Sequence, residues 1–195
     1  MLTAGQVLHL VVGILERSGI EYMIGGSVAG SIHGIPRMTQ DADVVVDLRP
    51  GHAALLAAAF AIDFYVDQDA ISEAVRNRGS FNIIHLESMF KVDFFVLSQR
   101  PFDRESFRNR RTVPDPGTPH GLLFVCGPEE LVVTKLECYD KGGRVSDRQY
   151  RDVLGILRVQ SEAGTLDGAR LDRLAAELQL SELLAQARAD AGLQQ

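Results

Sequence analysis

Ile24-Gly25-Gly26-Ser27, followed after thirteen residues by Asp41-Ala42-Asp43-Val44, is the stretch on which the reading of this chain turns. The short apolar run Tyr22-Met23-Ile24 predicts a strand, and the small residues from Ser27 to His33 predict a short helix stopped by Gly34 and Pro36. The next strand is expected from Ala42 to Asp47. Side chains at i and i+2 of a strand share a face, so Asp41 and Asp43 stand side by side while Ala42 faces away. Two adjacent carboxylates repel each other unless a cation relieves them. Mg²⁺ takes oxygen ligands and commonly shares one or two carboxylates with substrate phosphates, so the pair suits a metal–triphosphate site. Gly25 and Gly26 would let backbone N–H groups approach phosphate oxygens, and Ser27 adds a hydroxyl at a helix start.

A third acid, Asp93, lies in the alternating segment Phe90-Lys91-Val92-Asp93-Phe94-Phe95. A charge among apolar residues is costly unless a metal or a partner meets it, so Asp93 is expected to complete the site and orient an attacking hydroxyl.

Working outward, an apolar helical pattern at Val7, Leu10, Val11, Ile14 and Leu15 ends at Gly19. Helices are predicted from Pro50-Gly51 to about Phe60 and from Asp69 to Arg76, and a hairpin from Phe81–Leu86 and Met89–Leu97. Pro114, Pro116, Gly117 and Pro119 mark the most turn-rich stretch, before a last strand at Leu122–Cys126. Helices are then expected at 129–140, 147–160, 168–178 and 181–190. The fold class is therefore α/β (α+β): a mixed sheet of about four to six strands with flanking helices, then a helical bundle. The division is placed at 1–126 for the α/β domain and 127–195 for a helical domain closing the cleft.

With 195 residues, 46% hydrophobic and 24% charged, the composition is that of an ordinary globular chain. The run Leu8–Leu15 lacks a basic leader and a cleavage site and continues into Glu16-Arg17, so a cytoplasmic protein without a membrane span is expected. Cys126 and Cys138 form no C-x-x-C arrangement and are expected to be buried small apolar residues. A net charge of −6 argues against a broad nucleic-acid footprint. Two local basic groups, Arg104/Arg108/Arg110/Arg111 and Lys141/Arg144/Arg148/Arg151, leave room for an anionic ligand or for solvated helix faces. His9, His33, His52, His85 and His120 show no metal-ligand spacing, and no G-x-x-x-x-G-K-[ST] loop is present.

A Gly-Ser turn, a spacer, D-x-D and a later strand carboxylate together resemble the polymerase-β-like nucleotidyltransferase superfamily, with Gly26, Ser27, Asp41, Asp43 and Asp93 matching. The fuller set of Ile24, Gly25, Gly26, Ser27, Arg37, Thr39, Asp41 and Asp43 is similar to the AbiEii-type toxin branch and related minimal nucleotidyltransferases. Lys135, Arg144, Asp147 and Asp152 resemble that branch's helical motifs, although Ser146 stands where relatives often carry a basic residue. The resemblance implies catalytic and metal-binding roles for Asp41, Asp43 and Asp93. It implies nucleotide contacts for Gly25, Gly26, Ser27, Arg37, Thr39 and Lys135. It further implies Mg²⁺ or Mn²⁺, a nucleoside triphosphate, an acceptor such as RNA, a protein hydroxyl or a small molecule, and a cognate antitoxin. Each residue also has a plainer reading. D-x-D occurs in surface turns, Lys135 could be an exposed helix lysine, Asp147 a helix cap, and Asp152 an i,i+4 partner of nearby arginines. For the whole chain, the alternative is a catalytically lapsed nucleotide-binding or protein-interaction module on the same fold.

Overall fold

The computed structural model describes residues 2–193. In chain order its first elements are α1 (Ala4–Arg17), β1 (Tyr22–Ile24), α2 (Gly26–His33), β2 (Asp41–Val46), α3 (His52–Phe60), β3 (Phe64–Tyr65), α4 (Gln68–Asn77) and β4 (Ser80–His85). There follow β5 (Lys91–Val96), α5 (Pro101–Arg108), β6 (Arg111–Pro114), β7 (Leu122–Val125), α6 (Pro128–Lys141), α7 (Asp147–Glu162), α8 (Gly168–Glu177) and α9 (Ser181–Asp190). They form two compact units: residues 1–25 with 38–125, and residues 26–37 with 126–195.

The first unit is built on a mixed sheet in the order β3-β4-β5-β2-β1-β7-β6. Strand β2 lies parallel to β5 and antiparallel to β1, which in turn runs parallel to β7. Seven strands exceed the expected four to six because β3 has only two residues and β6 is a short exposed edge paired solely with β7. Helix α5 was not anticipated either. Its apolar residues are confined to Pro101, Phe102 and Phe107, too few for a visible stripe, although both phenylalanines are buried.

Alternation along β2 and β5 decides which face forms the core. Ala42, Val44, Val46, Val92 and Phe94 are buried, and the same face continues through Phe81 and Ile83 of β4. Phe94 stacks on Phe81 at 4.9 Å and meets Phe60 of α3 at 5.8 Å, while Phe60 packs edge-on against Phe64. Helix α1 starts at a capping box in which Thr3 and Gln6 satisfy each other's backbone N–H groups, and it buries Val7, Val11 and Leu15.

The second unit is helical. Leu131, Val132 and Leu136 of α6, Val153, Ile156 and Leu157 of α7, Leu171 and Leu174 of α8, and Leu184 of α9 are buried. Two buried acids open α6, where the helix dipole favours negative charge. Glu130 is ion-paired with Arg170, and Glu129 accepts from the Asp167 N–H at 2.8 Å. Helix α2 packs against α6 and α7, and Gly34 at its end leaves no room for a side chain. A Cβ there would lie 3.0 Å from the Gly30 carbonyl and from the Ile156 nitrogen. Cys126 is buried as expected, but Cys138 is exposed, because it lies on the solvent side of α6. No helix among the described residues is long and apolar enough to cross a membrane.

Candidate active site

In the first unit, the register of β2 against β5 sets Asp41 beside Lys91 and Asp43 beside Asp93. All four side chains are half-exposed and share the face opposite the Val44 and Phe94 core. Asn82 of β4 lies opposite Asp93 in the next pairing. The structure thus brings the three carboxylates predicted from sequence onto one sheet face. Thr39 fixes the first of them, its hydroxyl donating to Asp41 Oδ1 at 2.8 Å and to the Asp41 carbonyl at 2.9 Å. The Gly25 N–H donates to the Asp43 carbonyl at 2.9 Å, so this glycine serves the strand pairing in this structure.

Lys91 was not singled out as a site residue, although it stands two positions before Asp93 and so on the same face. Its ammonium lies 2.7 Å from Asp93 Oδ2. That hydrogen bond, opposed by burial and reinforced by the charges of Asp93, Asp41 and Asp43, holds Lys91 above the ordinary lysine range. Lys91 is therefore the internal counter-ion of the acidic patch. Among the described residues, no group of three or more His, Cys, Asp or Glu side chains is arranged so that it could hold a metal ion as it stands. The donor chemistry still suits Mg²⁺ or Mn²⁺, because such ions bind hard oxygen ligands and share one or two carboxylates with phosphates and water rather than needing a closed protein cage.

In the second unit, Ser27, Arg37, Lys135 and Asp152 meet. Arg37 grips Asp152 with a two-pronged fork, Nε to Oδ1 at 3.0 Å and Nη2 to Oδ2 at 3.1 Å, and also donates to the Ser27 hydroxyl. Lys135 donates to Asp152 Oδ2 at 2.8 Å and to Gln149 Oε1 at 3.2 Å. Lys135 is only 4% exposed, so it is not the surface lysine of the plainer reading. Gly30 lies against the same group, where an added Cβ would come into van der Waals contact with the Lys135 stem at 3.4 Å. Burial pushes the Asp152 carboxyl up, but the hydrogen bonds and charges of Arg37 and Lys135 outweigh it and hold the group below the usual carboxylate range.

The remaining helical-motif residues look outward. Ser146, not Asp147, caps α7, and Asp147 is exposed, 3.6 Å from Arg151. Lys141 pairs with Glu137 one helical turn back, and Arg144, just past the end of α6, pairs with Asp140.

Gly26 has φ +52°, a conformation in which a side chain is strained, whereas Gly25 does not and has its nearest obstacle, the Asp43 carbonyl, 3.9 Å away. Gly26→Ala is expected to cost about 1 kcal/mol and Gly25→Ala roughly half that or less. Urea unfolding of the two variants beside wild type measures the difference.

No protein-family model and no curated protein sequence matches the chain. Solved structures do. An antigenic nucleotidyltransferase-like protein from Paracoccidioides brasiliensis is 17% identical with a TM-score of 0.55, over 95% of this chain and 93% of that one. The antibiotic-resistance factor ANT(2'')-Ia in solution is 12% identical with a TM-score of 0.59, over 97% and 99%. A crystal structure of ANT(2'')-Ia with adenylyl-2''-tobramycin gives 12% and 0.54, over 91% and 98%. At such identities the likeness is one of fold: the mixed sheet and its helices form a nucleotidyltransferase-type fold.

Proposed function

We propose that this chain is a metal-dependent nucleotidyltransferase that moves a nucleoside monophosphate from a nucleoside triphosphate to an acceptor hydroxyl and releases pyrophosphate. The observation that carries the reading is the in-register patch of Asp41, Asp43 and Asp93 on the half-exposed sheet face. Asp41 and Asp43, completed by Asp93, would hold Mg²⁺ or Mn²⁺ with the triphosphate, and that ion supplies charge neutralisation and alignment at the phosphate oxygens when bound. Asp93 accepts a hydrogen bond from the acceptor hydroxyl and takes its proton. The hydroxyl oxygen forms a bond to the α-phosphorus as the bond from that phosphorus to the bridging oxygen breaks, and pyrophosphate leaves. Ser27, Arg37 and Lys135, gathered in the second unit, have the donors that phosphate oxygens take, the hydroxyl as a hydrogen-bond donor and the two cations as charge.

The acceptor is the open part of this reading. The similarity of residues 24–43 to the AbiEii-type branch supports RNA or a protein hydroxyl as acceptor and a toxin restrained by a cognate antitoxin, and the fold shared with ANT(2'')-Ia, solved with adenylyl-2''-tobramycin, supports a small molecule. Incubation with each labelled triphosphate and Mg²⁺ or Mn²⁺, alongside total RNA, total protein and small hydroxyl compounds, separates them. One observation favours a second reading, a lapsed nucleotide-binding module: Asp93 already has an ammonium partner in Lys91. Nucleotide binding without label transfer to any acceptor would establish that reading and refute the first.

Ser27→Ala is expected to be mild. It removes one hydroxyl contact worth about 0.5–1.5 kcal/mol, so transfer should slow no more than about tenfold. Steady-state pyrophosphate release at saturating acceptor reads this out.

A further inference from the structure

The arginines between Arg104 and Arg110 belong to no part of the chemistry above, yet they line an open cavity of about 450 Å³ in the first unit. Its walls come from α5, from the end of β7 through Phe124, and from the residues that follow β2 and β5, Asp47 and Leu97. Asp47 lies four residues beyond Asp43 on the same strand path, about 13 Å along it, so the cavity stands at the far end of β2 from Asp41.

Arg110 is the built part of this site. Its guanidinium sits between two rings, 4.6 Å from the centre of Phe107 and 5.1 Å from that of Phe124. One Nη donates to Glu21 at 2.8 Å and the other to the Phe107 carbonyl at 2.7 Å. Its Nε–H is buried and has no hydrogen-bond partner among the described residues, a condition that buried polar groups rarely tolerate. Arg104 and Arg108 stand one helical turn apart on α5, and the hydrogen bonds they donate end on the Gln99 side-chain oxygen and the Arg104 carbonyl, not on a carboxylate. In a chain of net charge −6, two arginines with no acid partner among the described residues, beside a third held between an acid and a backbone carbonyl, concentrate positive potential in one recess. Guanidinium forks match phosphate oxygens two at a time. The same recess carries Glu21 and Asp47, carboxylates suited to accept from hydroxyl groups.

We infer that this cavity is a binding site for a small phosphate ester bearing hydroxyl groups, such as a sugar phosphate, with the phosphate on Arg104 and Arg108 and the hydroxyls toward Asp47. The combination of cation and acid selects such a ligand over a bare anion and over a neutral sugar. A nucleic-acid backbone is disfavoured by the overall negative charge and by the acids lining the recess.

Calorimetric titration of the full chain in EDTA, which silences metal-dependent nucleotide binding, provides the test. Glucose 6-phosphate, inorganic phosphate and glucose are the probes. Glucose 6-phosphate is expected to bind at least tenfold more tightly than inorganic phosphate, and glucose not at all. The Arg104→Ala/Arg108→Ala double variant, which removes one half-buried and one exposed side chain of α5, should lose at least tenfold in affinity with an unchanged melting temperature. Asp47→Asn should narrow the gap between the sugar phosphate and inorganic phosphate, and Asp43→Asn should leave all affinities as they are. Equal binding by the double variant, loss of binding in Asp43→Asn, or no phosphate binding at millimolar concentration would overturn the assignment. So would salt-sensitive binding of an oligonucleotide in place of the sugar phosphate. None of these results depends on whether the chain transfers nucleotides.

Discussion

Asp43→Asn is expected to lower pyrophosphate release on the order of 10³-fold, about 4 kcal/mol of barrier, with little change in stability. The substitution keeps size and shape and removes one of the acids on which the proposed cation-assisted transfer depends. Its backbone role survives, because the bond from the Gly25 N–H ends on the carbonyl and not on the carboxylate. Asp93→Asn should lose transfer to a similar extent while keeping most of the affinity for the triphosphate with Mg²⁺, since its proposed task is to orient the acceptor. Asp41→Asn and Asp43→Asn should weaken both. Pyrophosphate release with a confirmed acceptor, together with nucleotide titration at matched folding, separates the roles. Full activity in Asp43→Asn would remove the metal assignment.

Asp152→Asn is expected to be the most destabilising of the variants considered, by about 3–5 kcal/mol. It leaves the Lys135 ammonium, almost wholly buried, facing neutral amide oxygens in place of a carboxylate, and breaking a buried pair from one side has a cost of that size. Adding Lys135→Met should recover part of the loss, since removing both charges is far milder than removing one. Acid should mimic the single variant. The folded-state pKa of Asp152 is lowered, so its contribution is complete above the unfolded carboxyl value, near pH 4, and fades as pH falls through the lower folded value. Urea unfolding at pH 7 and pH 3 should therefore show a smaller acid-induced loss in Asp152→Asn than in wild type. Equal losses would mean that Arg37 and Lys135 do not hold the carboxylate ionised.

The half of the site on β2 and β5 was legible in the sequence because it is written in a local period. A two-residue alternation tells which side Asp41, Asp43 and Asp93 share, though not that Asp43 and Asp93 would fall in register across parallel strands. The same alternation places Lys91, two positions before Asp93, on that face. The cluster around Asp152 is another matter. Arg37 and Asp152 are 115 residues apart, and no spacing rule joins a loop after α2 to the middle of α7. Element boundaries failed for similar reasons. Strand β6 is Arg-Thr-Val-Pro beside a proline-rich turn, and it becomes a strand only because β7 offers it an edge.

Alternation along β2, β4 and β5 divides labour between neighbouring residues. Ala42, Val92 and Ile83 hold the unit together, while Asp43, Asp93 and Asn82, each one position away, face the other side. Selection acting on recognition is thereby uncoupled from selection acting on folding. Ser80, Asn82, Phe95 and Tyr65 are exposed on strands around the acidic patch, and they can be replaced in the course of descent, or randomised together in a library, without touching the packed layer beneath. A lineage built on this sheet can change what it acts upon faster than it changes what it is.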